Sequence, residues 1–213
     1  MKKHIAIFSL SALLVCLCFS GCGALEPERS AARLADYRPV LLEGSSGGVS
    51  AAVYSGVRED PYSLDGECGE KKDYALVTLS GYDGGGDGVK AELKTDGASY
   101  DVELSPHPFD DDLSAELPVR LDDGITSATL VVGAEEITLT GGAPVYGAGY
   151  ALTLAKETVY DRGEIVLRLT RSPLSDDGGR YWYVSFTEGD ETSSVLINAE
   201  SGEVAAVRDP RAD

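Results

Sequence analysis

The chain has 213 residues, with 18 basic and 36 acidic side chains and a formal net charge of −18. That balance excludes a nucleic-acid binder, which needs basic surface to meet phosphate. A 43% hydrophobic content excludes wholesale disorder, and 25 glycines without a period of three exclude collagen and point to many turns.

In chain order, Lys2 and Lys3 are followed by a mostly apolar run from Ile5 to Phe19. The run is short for a bilayer span and has the proportions of a signal-peptide core. It ends in Phe19-Ser20-Gly21-Cys22. This resembles the lipobox of bacterial lipoproteins, with Phe19 in place of the usual Leu. The resemblance implies removal of residues 1–21 and a diacylglyceryl thioether on Cys22. The implied partner is then a membrane, reached through a lipid anchor on Cys22 and facing outside the cytoplasm. Residues 22–48 read as a polar, Gly/Ser-rich tether with a short helix around Ala31–Ala35.

Residues 49–141 alternate with period two in several segments. Val49, Ala51 and Val53 form one, and Ala75, Val77 and Leu79 another. Val89, Ala91 and Leu93 alternate with Lys90, Glu92 and Lys94, and Tyr100, Val102 and Leu104 with Asp101 and Glu103. Further strands are expected around Leu117–Leu121, over 126–132, and at Ile137 and Leu139. Turn signals such as Asp96-Gly97 and Asp123-Gly124 separate them. This series predicts an immunoglobulin-like antiparallel β-sandwich.

Residues 144–208 change period. Ala148, Leu152, Ala155 and Val159 share one helix face. An antiparallel meander follows, in which Trp182, Val184 and Phe186 face one side and Tyr181 and Tyr183 the other. Residues 209–213 form a tail. The helix with Ala151, Leu152 and Ala155, the strand Tyr181-Trp182-Tyr183-Val184 and the closing Val195-Leu196-Ile197-Asn198-Ala199-Glu200-Ser201-Gly202-Glu203-Val204 together resemble a PepSY domain. Asn198 stands where that family usually has Asp. The resemblance implies a helix-plus-meander α+β module that binds an envelope protein or restrains a peptidase, with no catalysis of its own.

The chemistry-bearing residues support no reaction. His107 lies between Pro106 and Pro108 as a loop histidine, with no G-x-S-x-G elbow and no zinc-type His cluster around it. Asp83 and Asp87 flank a glycine run. They are weak calcium candidates, because the loop lacks the closing acidic ligand of an EF-hand. Cys68 has no partner left for an internal disulfide, and nearby Asp65, Glu67 and Glu70 would raise its pKa. No cofactor motif is found. The expected function is a non-catalytic, membrane-anchored envelope lipoprotein, with Tyr181 and Tyr183 as the candidate protein-binding surface. The alternative is an extracellular glycan- or calcium-binding module using the sandwich loops.

Overall fold

The computed structural model describes residues 27, 30–63, 68–84, 88–107, 112–172 and 178–211. Among the described residues from Ser30 onward, a 3-10 turn, Ala31–Arg33, leads into twelve strands and one α-helix. The strands are β1 (Leu34–Ser46), β2 (Val49–Glu59), β3 (Lys71–Ser80), β4 (Val89–Lys94), β5 (Ser99–Pro106), β6 (Leu113–Leu117), β7 (Ser127–Val132) and β8 (Glu135–Thr140). Helix α1 (Ala148–Thr158) precedes β9 (Glu164–Arg171), β10 (Arg180–Glu188), β11 (Glu191–Asn198) and β12 (Val204–Arg208).

All twelve strands belong to one sheet. Eight of them, in the order β1-β2-β3-β6-β5-β4-β7-β8, curl round until β8 meets β1 again at Glu43 and Thr140. The first part of the chain is therefore a closed barrel and not a two-sheet sandwich. Nor is the last part a free-standing helix-plus-meander module of the PepSY type. Strand β9 runs parallel to the first half of β1, from Leu34 opposite Ile165 to Arg38 opposite Arg168, and β10, β11 and β12 continue outward antiparallel. Leu34–Ser46, expected within the tether, is the strand that both parts share. The strand expected around Leu117–Leu121 ends at Leu117.

Strand β1 changes neighbour at a bulge between Tyr37 and Val40, where Pro39 has no N–H to offer a ladder. Before the bulge it pairs with β9, and after it with β8, while β2 pairs along both halves. Two glycines allow these close approaches. A Cβ on Gly56 would lie 2.0 Å from the Tyr37 carbonyl oxygen at the bulge. A Cβ on Gly44 would lie 2.0 Å from the Thr138 carbonyl oxygen, where β8 closes on β1.

Alternation then decides what each face touches. Val40, Leu42, Val53, Val77, Leu79, Leu93, Leu104, Leu130, Ile137 and Leu139 are buried and fill the barrel. An eight-stranded barrel is just wide enough for side chains to fill. The outward positions include exposed Lys90, Lys94, Asp101, Glu103, Glu135 and Glu136. Apolar inside and charged outside is the reverse of a membrane-spanning barrel. No helix among the described residues is long and apolar enough to cross a membrane.

A second core lies under α1. Ala151, Leu152, Ala155 and Val159 pack on Ile165, Leu167, Trp182, Val184, Phe186, Val195 and Ile197. The helix sequence is rich in Ala and Leu, which are strong helix formers. Lys156 in the last turn complements the helix dipole. The indole N–H of Trp182 donates to the Tyr146 carbonyl at 2.7 Å, which satisfies the one polar atom that this buried ring carries.

The closure makes a testable demand. Gly44→Ala should lower stability by about 2 kcal/mol, because its methyl meets backbone oxygen rather than a yielding side chain. Gly97→Ala, where nothing lies within 4 Å, should change it by less than about 0.5 kcal/mol. Urea denaturation of both variants checks the contrast, and equal midpoints would contradict the close approach at Gly44.

Candidate functional site

Opposite α1, the sheet presents a polar face that runs from β10 across β9 and β1 to β3. Parallel pairing sets Arg38 beside Arg168, and antiparallel pairing sets Arg168 beside Tyr183. At its centre is Asp36 on β1, 1% exposed. Its Oδ2 accepts from Arg168 Nε at 2.7 Å and a second guanidinium nitrogen at 2.6 Å. Its Oδ1 accepts from the Tyr74 hydroxyl at 3.1 Å. Arg168 also donates to the Tyr62 hydroxyl at 3.2 Å, which brings the segment after β2 down onto β9. Burial opposes the charge on Arg168, but Asp36, Tyr62 and Tyr74 together outweigh it and raise the guanidinium above its ordinary value. Burial, and after it the Asp36 charge, pushes the Tyr74 hydroxyl well above the usual phenol range.

Three further arginines flank this centre. Arg58 stacks on Tyr74 at 4.9 Å and grips Glu116 at 2.7 and 2.6 Å. Arg171 grips Glu43 at 2.8 and 2.6 Å. Arg38 lies over the Tyr54 ring at 4.5 Å. Burial, with help from the Glu43 charge, holds the Tyr54 hydroxyl above its ordinary value against the opposing charges of Arg38 and Arg171.

Next to this face, Glu59 at the end of β2, Cys68, and Glu164 at the start of β9 converge. One ligand-type atom from each lies within 4.8 Å of the other two. Glu59 and Glu164 are 2% and 1% exposed, and Cys68 is half-buried. Glu59 accepts the backbone N–H groups of Ser63 at 3.1 Å and Gly69 at 2.8 Å. Burial, and then the Glu164 charge, pushes the Cys68 thiol up to about 11. These are the residues best placed to ligate a metal. A cation there would have to displace the thiol proton, because only the thiolate ligates.

Only part of the predicted surface lies open. Tyr181 and Tyr183 face away from Trp182, Val184 and Phe186, but Tyr181 is buried at 6% exposure and Tyr183 is half-buried. Asp83 sits exposed in a turn, while Asp87 and Cys22 lie outside the described residues. His107 is half-buried, and its backbone N–H donates to the Asp112 carbonyl at 2.8 Å. Asn198 accepts the backbone N–H groups of Glu200 and Ser201, both at 2.9 Å, and so makes a side-chain-stabilised turn. No family model, curated protein or solved structure matches the chain at a significant level.

Two outcomes are expected. Asp36→Ala leaves Arg168 and Tyr74 facing a void, and should cost about 3 kcal/mol in denaturant unfolding. Cys68 should alkylate slowly at pH 8, since raising its pKa to about 11 keeps the thiol protonated. Its rate with iodoacetamide should climb through pH 10, and Glu164→Gln should shift that climb to lower pH. A thiol that titrates like free cysteine would refute the crowding by Glu164.

Proposed function

We propose that the protein is a non-catalytic, membrane-anchored envelope lipoprotein whose folded body serves as an interaction module outside the cytoplasmic membrane. The observation that carries this reading is the amino-terminal sequence. Lys2 and Lys3, the apolar run to Phe19 and the Phe19-Ser20-Gly21-Cys22 site occur together and in the order a lipoprotein signal requires. Each buried CH₂ contributes about 0.8 kcal/mol, so two long acyl chains on Cys22 would contribute on the order of 20 kcal/mol to membrane binding.

The body suits that setting. Its barrel interior is packed with aliphatic side chains and its exterior carries charge. Strand β1 begins at Leu34, so the chain from Cys22 can reach at most roughly 40 Å. The folded part would therefore work close to the lipid surface. A filled interior leaves recognition to the outer faces, of which the tyrosine- and arginine-bearing face around Asp36 offers the most varied chemistry.

Metabolic labelling with a fatty acid tests the anchor. The native protein should take up label and fractionate with membranes. Cys22→Ala should lose the label and release a folded body. An unlabelled native protein with a free, unmodified amino terminus would end this reading.

A further inference from the structure

Four arginines lie on or beside the polar face, and three of them have a carboxylate of their own. Arg58 grips Glu116, Arg168 grips Asp36, and Arg171 grips Glu43. Arg38 is the exception. Among the described residues no carboxylate comes within ion-pair distance of it, and its buried Nε has no hydrogen-bond partner. Its guanidinium is half-buried over the Tyr54 ring. Arg168 lies on the neighbouring strand, directly opposite in the parallel ladder, where strands run about 4.8 Å apart. Two adjacent guanidiniums thus share one carboxylate, and Asp36 is already fully engaged by Arg168 and Tyr74.

This leaves two guanidiniums to one carboxylate on a partly desolvated surface of a protein whose net charge is −18. Burial, and after it Arg168, lowers the Arg38 pKa below its ordinary value, although Tyr74, Asp36 and Tyr54 act in the opposite direction. Nearby Tyr54 and Tyr62 are both held above their ordinary pKa, chiefly by burial, so their hydroxyls stay protonated. The face therefore combines a guanidinium fork, protonated phenols and flat aromatic rings. A planar fork matches carboxylate and phosphate oxygens in pairs.

We infer that Arg38, seated on Tyr54 beside Arg168, is the anchoring group of a binding site for an oxyanion, a phosphate or carboxylate group borne by a ligand. The anion would supply to Arg38 what Asp36, Glu43 and Glu116 supply to the other three arginines. This inference does not depend on the lipid anchor.

Calorimetric titration of the full chain tests it, with inorganic phosphate and glucuronate as separate probes at constant ionic strength and sodium chloride as the blank. Saturable millimolar binding of at least one probe is expected. Response to phosphate alone would identify a phosphate ligand, and response to glucuronate alone a carboxylate one. Arg38→Gln should weaken binding at least about ten-fold, whereas Arg211→Gln, which removes an arginine paired with Glu191 away from this face, should leave it unchanged. Arg38→Lys keeps the charge without the fork and should still weaken binding several-fold, which covers the case in which Arg38→Gln fails to fold. Equal behaviour of parent and Arg38→Lys, or no saturable response to either anion, would overturn the site.

Discussion

One strand holds the molecule together. Strand β1 hydrogen-bonds to β2 along its length, to β9 before the bulge and to β8 after it. The barrel closes on it and the outer strands begin from it. The two hydrophobic cores meet there as well. Val40 and Leu42 point into the barrel, while Leu34 and Leu41 pack with the residues under α1. Backbone groups on a buried strand must find partners. A strand placed between three neighbours therefore needs a local device to change from one to another, and the bulge at Pro39, with Gly56 opposite it, is that device.

The electrostatics follow from the same geometry. The parallel register of β1 and β9 brings Asp36 and Arg168 to one face, and β3 adds Tyr74. A carboxylate that is 1% exposed is tolerable only because three donors meet it. The pair also joins β1 to β9 across a parallel ladder, where pairing is slightly weaker per residue than in an antiparallel one. Arg38 and Arg168 lie side by side on the face that the barrel and the outer strands share.

Local periodicity was readable in the sequence, and closure was not. Val89, Ala91 and Leu93 alternate with charged residues, and they form β4 with their apolar side inward. Ala151, Leu152 and Ala155 share a helix face, and that face is buried. A sandwich strand and a barrel strand have the same alternation, however, so the pattern could not reveal that Thr140 returns to Glu43. Residues 34–46 misled for a different reason. Arg38, Pro39, Glu43 and the Gly44-Ser45-Ser46-Gly47-Gly48 run have a linker's composition, yet Gly44 is there because β8 passes too close for a side chain. The candidate site was invisible because its groups come from distant segments, with Asp36 and Arg168 separated by 132 positions. Cys68 shows the same effect. Its acidic sequence neighbours suggested a raised pKa, but the structure places Glu164 from β9 against it.

The position of β1 in the chain also determines how mechanical load would travel. A pull on the amino terminus enters the fold through a strand flanked on both sides, so the ladders to β2 and β9 resist together in shear. A pull on the carboxyl terminus meets β12, an edge strand bonded only to β11, which can peel away one bond at a time. The molecule is thus mechanically polarised, with its tougher grip at the end nearest Cys22.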